Sequence, residues 1–236
     1  MKDICVTGAA KGLGRAITTR LIDDGYRVVA VDVQAEQLDA LVVEFGDRVR
    51  CVPLDVTDYS SVEKMMQSVE SDSLYGLVNN AGIYLGKNIL DCSIEEISKV
   101  LDVNLKGAVY FSKFFGACLL RRQMTGSIVN ISSSSIHGGA DAVYSASKSG
   151  LIGLTKSCAL KFSPYVRVNA VAPGIVVDTE LAQNLPQEVL ELYRARELIK
   201  TPLGPDDVAR TVSFLMSDMG RSYTGAIFDL NNGYHM

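Results

Sequence analysis

Tryptophan is absent from the 236 residues, and histidine occurs only twice, as His137 and His235. With no cluster of ligating side chains around either, no metal site is expected. Five cysteines, Cys5, Cys51, Cys92, Cys118 and Cys158, are scattered and form no Cys-x-x-Cys pair. An odd, dispersed set in apolar stretches is neither a disulfide framework nor a zinc motif, and it reads as small buried hydrophobes in a reducing compartment. No uninterrupted apolar run reaches the ~20 residues that span a bilayer. The opening Met1-Lys2-Asp3-Ile4-Cys5-Val6 carries no signal-peptide pattern. A cytoplasmic protein that does not engage a membrane is expected. Long basic runs are also missing, and a net charge of −4 with a pI near 5.3 argues against a nucleic-acid partner.

What the chain does have is apolar content, 47% over its length, enough for the core of one α/β domain spanning residues 1–236. The apolar stretch Ile4–Thr7 runs into Gly8-Ala9-Ala10-Lys11-Gly12-Leu13-Gly14 and then into a helical pattern from Arg15 to Asp24. Strand, glycine turn and helix in that order can cradle a pyrophosphate: one glycine for the turn, one for close approach of the phosphates, one for helix-on-strand packing. A second strand, Arg27–Val31, ends at Asp32, where a dinucleotide fold places the acid that bonds the adenosine ribose. A carboxylate there repels a 2′-phosphate and favours NAD. Lys11 and Arg15 pull the other way, since either could reach an added phosphate, so NADP stays possible.

Further alternation follows: a helix near 34–44, a strand at Val49–Leu54, a helix at Ser60–Val69 and a strand at Leu74–Val78. Asp55 is either an adenine contact or a helix cap. Alternating strands and helices predict a Rossmann-like, doubly wound parallel sheet of about seven strands with helices on both faces. A long helical stretch from Ile94 to Leu120 should break near Asn104–Gly107. Ser127–Ile131 is a fifth strand, delivering Ser132 to Ser135 at its C-terminal edge, where such sheets bind ligands. The serines are candidates to polarise a carbonyl, or simply turn residues. On the helix that follows, Tyr144 and Lys148 are four apart and share a face, so an ammonium can stand near a phenol and lower its pKa into a useful range.

With these pieces in place the chain resembles the short-chain dehydrogenase/reductase family over nearly its whole length. Thr7-Gly8-x-x-x-Gly12-x-Gly14 resembles the cofactor loop, Asn79-Asn80-Ala81-Gly82 the motif that stabilises the sheet, and Pro173-Gly174 the segment bordering the nicotinamide. The resemblance implies a catalytic set of Asn104, Ser133, Tyr144 and Lys148, with Ser132 as the alternative serine. Tyr144 would move the proton, Lys148 would bind the nicotinamide ribose and depress the Tyr144 pKa, Ser133 would hold the substrate oxygen, and Asn104 would position a water. It further implies a dinucleotide held by Thr7, Gly8, Lys11, Gly12, Leu13, Gly14, Asp32, Val33, Asp55, Val56, Asn80, Ala81, Gly82, Tyr144, Lys148, Pro173, Gly174, Ile175, Val177 and Thr179.

The implied activity is hydride transfer between a secondary alcohol and a ketone, with NAD preferred. An NADPH-dependent 3-ketoacyl-type reductase and a non-catalytic cofactor-binding regulator are the alternatives. A small-molecule alcohol or ketone is the expected substrate. A homotetramer or homodimer is the expected assembly, through helix faces near Val109–Leu119 and Leu151–Leu160.

Three departures from the family pattern stand out. The loop between Ser133 and Tyr144 is short, Thr179 falls one residue late, and Asn232 replaces a glycine in Asp229-Leu230-Asn231-Asn232-Gly233. Residues 175–205 form the expected substrate loop. Helical spacing at Leu181, Leu185, Val189 and Leu192 reads as either a lid or an ordinary surface helix pair.

Overall fold

The computed structural model describes residues 1–138 and 141–235. Seven strands form one parallel sheet: β1 Asp3–Thr7, β2 Arg27–Asp32, β3 Val49–Pro53, β4 Leu74–Asn79, β5 Gly126–Ile131, β6 Val166–Pro173 and β7 Ile227–Leu230. Their spatial order is β3-β2-β1-β4-β5-β6-β7. Every adjacent pair is parallel. The order reverses direction between β1 and β4, and the C-terminal edge at that point is where such sheets hold ligands.

Strand alternation divides the core into two layers. Ile4, Val6, Val28 and Ala30 face one side, while Cys5, Val29 and Val31 face the other. The first layer is covered by α1 (Gly12–Asp23), α2 (Ala35–Phe45) and, from late in the chain, α9 (Pro205–Met216), through residues such as Ile17, Leu38 and Val212. The second is covered by α3 (Tyr59–Ser68), α5 (Gly107–Arg122) and α6 (Ala142–Phe162), through Val62, Phe111, Phe115 and Ala159.

The expected break near Asn104 takes a specific form. Helix α4 (Ile94–Leu101) opens on a capping box between Ser93 and Glu96 and continues into a π-helical turn, Asp102–Lys106, before α5 begins. The wide turn sets Asn104 inward with no exposure to solvent. A buried chain of polar groups then fixes α6 against the sheet. Asn79 Nδ2 donates to Asn130 Oδ1 at 2.8 Å, Asn130 Nδ2 donates to Thr155 Oγ1 at 2.8 Å, and Thr155 donates to the Leu151 carbonyl. Buried amides and hydroxyls joined this way hold one register, because any slip would leave them unpaired.

On the substrate side, α7 (Glu180–Gln183) and α8 (Gln187–Arg196) are separate helices interrupted at Asn184–Pro186. This corrects the continuous spacing read from the sequence. Val189 and Leu192 point to solvent, at 44% and 68% exposure, and Leu190 and Tyr193 face inward instead. Pro186 restarts the helix and resets its phase.

Candidate active site

The cofactor loop is built around the end of β1. Thr7 Oγ1 accepts the backbone N–H groups of Asn80 and Ala81, each at 3.1 Å, and Asn80 Nδ2 donates to the Thr7 and Gly8 carbonyls at 3.0 Å. Residues 7–8 and 80–81 are thereby stitched together across the switch point. A Cβ on Gly14 would stand 1.8 Å from the Gly8 carbonyl oxygen, so only glycine lets α1 approach the strand this closely. At Gly12, where φ is +51°, a Cβ would meet nothing within 4 Å. Helix α1 begins there with no side-chain cap and no acid in its first turn. Its first N–H groups and the open space before them suit a pyrophosphate.

Asp32 is buried at the end of β2. Its two carboxylate oxygens accept the Ala10 N–H at 3.0 Å and the Gln34 N–H at 3.1 Å. Val33 beside it is exposed. Both cations that could attract a 2′-phosphate are engaged: Lys11 with Glu180 at 2.5 Å and Arg15 with Glu44 at 2.6 Å. Asp55 is not a helix cap. Asp58 caps α3, and Asp55 Oδ1 closes a local turn onto Thr57. The Val56 side chain and carbonyl both lie against Gly107.

Asn104 and Lys148 converge on the loop after β4. A Cβ on Gly82 would lie 3.2 Å from Lys148 Nζ and 3.4 Å from Asn104 Oδ1, which brings β4's loop, the π-helical turn and α6 to one point. Asn104 Oδ1 accepts the Ile83 N–H at 2.7 Å, and its Nδ2 donates to the Ile83 carbonyl and to Ser147 Oγ. Lys148 Nζ donates to the Ile131 carbonyl at 2.9 Å and lies 5.6 Å from the Tyr144 ring centroid.

The serines separate by role. Ser132 Oγ donates to the Lys148 carbonyl at 2.8 Å, Ser134 is buried beside Tyr193, and the half-exposed Ser133 hydroxyl accepts the Ser135 N–H at 3.2 Å and stands on the Tyr144 side.

One electrostatic expectation is corrected. Part of the Tyr144 ring reaches the cleft surface, but its phenol is deep enough that burial pushes it up to about 12, against the opposing bond from Ser133. Burial also lowers Lys148 to about 8. Lys148 does not depress the phenol here: its Nζ is turned to the Ile131 carbonyl, and loss of hydration dominates the shift of both groups.

The site can now be set beside known proteins. A family model described as Enoyl-(Acyl carrier protein) reductase matches residues 8–235. The 3-oxoacyl-[acyl-carrier-protein] reductase FabG of Thermotoga maritima is 36% identical over 97% of this chain and 95% of its own. The meso-2,3-butanediol dehydrogenase of Serratia marcescens is 33% identical over 98% of this chain and 94% of its own. A crystal structure of a short-chain dehydrogenase/reductase, glucose/ribitol dehydrogenase, from Brucella melitensis superposes with a TM-score of 0.92 at 27% identity, covering 100% of this chain and 97% of that one. The chain belongs to the short-chain dehydrogenase/reductase family.

As a short-chain dehydrogenase/reductase the protein is a nicotinamide-dependent oxidoreductase acting between CH–OH and C=O groups. The family's substrate segment here follows β6. Asp178, with φ +60°, absorbs the extra residue that delays Thr179. Thr179 caps α7 and donates to the Val176 carbonyl at 2.7 Å, so its hydroxyl is already committed within the loop. Asn232, at φ +54°, keeps the backbone shape of the glycine it replaces and adds a tether. Its Nδ2 donates to Glu197 Oε1 and the Thr201 carbonyl.

Sequence reasoning missed three residues at the site. Tyr84 meets Tyr144 edge-on, with centroids 5.1 Å apart. Asp141 caps α6 by accepting the Tyr144 N–H at 2.9 Å. Tyr193 enters from α8. Asp141 was legible as an acid three residues before a helical residue, a capping pattern; the two tyrosines had no local signal. Gly139 and Ala140, in the short loop between Ser133 and Tyr144, lie outside the described residues. A broad cleft of about 400 Å³ along the outer face of α1 meets the site at Gly12, Arg15 and Asp178. Among the described residues no metal-binding group of side chains occurs and no helix is long and apolar enough to cross a membrane.

Proposed function

We propose that the protein is an NAD(H)-preferring oxidoreductase that interconverts a compact secondary alcohol and its ketone. The observation that carries this reading is the convergence of the Ser133 hydroxyl, the Tyr144 phenol and the Lys148 ammonium beside Gly82. The nicotinamide supplies or takes up the hydride when bound. Ser133 donates to the substrate oxygen, and Tyr144, protonated at neutral pH, gives it a proton in the reductive direction. Lys148 holds the ribose. Asn104 keeps the Ile83 backbone and α6 in register. The glycine loop and the uncapped start of α1 hold the pyrophosphate, flanked by Asn80, Ala81 and Gly82 on one side. Pro173, Gly174, Ile175, Val177 and Thr179 border the nicotinamide on the other.

Support for NAD comes from Asp32 at the ribose position and from the pairing of Lys11 and Arg15 with carboxylates. The second reading, an NADPH-dependent 3-oxoacyl reductase, is favoured by the 36% identity to the Thermotoga protein. Residues 1–236 act as one domain in the cytoplasm, in a homotetramer or homodimer. Val109 and Leu160 expose apolar side chains, at 38% and 82%, on the two helices that would pair, while Leu119 and Leu151 belong to the core.

Calorimetric titrations with NADH and NADPH, followed by turnover of acetoin and a 3-oxoacyl thioester, test the reading. Tighter NADH binding and acetoin reduction are expected. Tighter NADPH binding with thioester reduction would put the second reading first, and binding of neither would return the chain to a non-catalytic role.

A further inference from the structure

Helix α8 sends one side chain into the site. The Tyr193 hydroxyl lies 3.4 Å from Ser134 Oγ and against the Ile175 backbone amide, between the residue after Ser133 and the segment that borders the nicotinamide. Room for it exists because residue 174 is glycine: a Cβ there would stand 2.5 Å from the Tyr193 hydroxyl. The ring is held from behind by Tyr234, stacked at 3.9 Å and within 10° of parallel, whose own hydroxyl accepts from Arg196. Beneath α8, between Ile175, Val177, Leu190, Pro202 and Leu203, only about 10 Å³ of space remains, no more than one water occupies. Both ends of the segment are tied down. Glu180 pairs with Lys11, and the Asn232 carbonyl accepts the Leu198 and Ile199 N–H groups.

We propose that Tyr193 is a specificity-determining residue that closes the far end of the substrate pocket and restricts it to compact alcohols and ketones. The inference rests on the oxidoreductase reading and deepens it. An extended acyl chain leaving the reactive carbon between Gly174 and Ser134 meets Tyr193 there, and the space beneath α8 is too small to take it.

The test compares reduction of acetoin with that of the N-acetylcysteamine thioester of 3-oxooctanoate by wild type, Tyr193→Ala and Tyr193→Phe. In Tyr193→Ala the ratio of thioester to acetoin kcat/KM should rise by about tenfold or more, through KM for the thioester, while NADH affinity is unchanged. Tyr193→Phe keeps the ring and should keep the wild-type ratio within about twofold. An unmoved ratio in the alanine variant, or a wild type that already favours the thioester, overturns the inference. If wild type reduces neither compound, the oxidoreductase reading fails on its own, and amide exchange over residues 187–199 decides the placement of Tyr193. About tenfold faster exchange in Tyr193→Ala supports it as the side chain seating α8, and unchanged exchange overturns it.

Discussion

Lys148 Nζ points at the Ile131 carbonyl, 2.9 Å away, while standing 5.6 Å from the centre of the Tyr144 ring. The ammonium is thus satisfied by the end of β5 rather than by the phenol, and both groups sit where their charged forms are poorly hydrated. Two functional groups are set side by side, both shifted toward their neutral forms, Tyr144 up to about 12 and Lys148 down to about 8.

Lys148 therefore makes stability pH-dependent. Its folded pKa of about 8 lies below the reference value of 10.5. Between those values the unfolded chain holds a proton that the folded chain has released, so folding becomes more favourable as pH rises through the window. The burial penalty is fully present below it. Chemical denaturation of wild type and Lys148→Met should show the difference shifting toward wild type by up to about 3 kcal/mol from pH 8 to 10.5. A flat difference would show that the ammonium is better hydrated than its position implies.

Replacing the phenol separates chemistry from binding. Tyr144→Phe keeps the ring that packs edge-on with Tyr84 but removes the proton carrier. Turnover should fall about 10²- to 10⁴-fold. Calorimetry should show dinucleotide affinity within about twofold of wild type. Substantial residual turnover would exclude Tyr144 as the acid–base.

The neighbouring serines should fail in different ways. Ser133→Ala should lose about 10²-fold in kcat with no more than a small fall in unfolding midpoint, because its hydroxyl stands on the Tyr144 side and otherwise only accepts the Ser135 N–H. Ser132→Ala removes the bond to the Lys148 carbonyl and should cost about 1 kcal/mol of stability while retaining most activity. The reverse pattern would make Ser132 the substrate-facing serine.

Two glycines of the cofactor loop should likewise divide. In Gly12→Ala the new methyl points into open space, so the fold survives with about 1–2 kcal/mol of backbone strain while dinucleotide affinity drops about tenfold. Gly14→Ala forces α1 away from the Gly8 carbonyl and should lower the melting temperature by several degrees or abolish folding. Equal affinity losses with equal stability would mean that the loop tolerates side chains at both positions.

The sequence by itself determined the strand–helix alternation, the glycine loop, the irregularity at Asn104 and the Tyr144–Lys148 pair. Each is a local pattern: apolar runs, glycines at fixed offsets, a disfavoured residue in a helix, two side chains one turn apart. Of β6 it marked only the end, at Pro173-Gly174. The tertiary structure decided which serine faces Tyr144, because Ser132 and Ser133 point to opposite sides of an extended backbone and only the position of α6 distinguishes them. It decided the sign of the Tyr144 shift, since burial by distant segments raises the phenol. It also decided the role of Tyr193, which reaches Ser134 across 59 residues of chain. Contacts of that kind arise from how helices stack on a sheet, and no spacing within one segment encodes them.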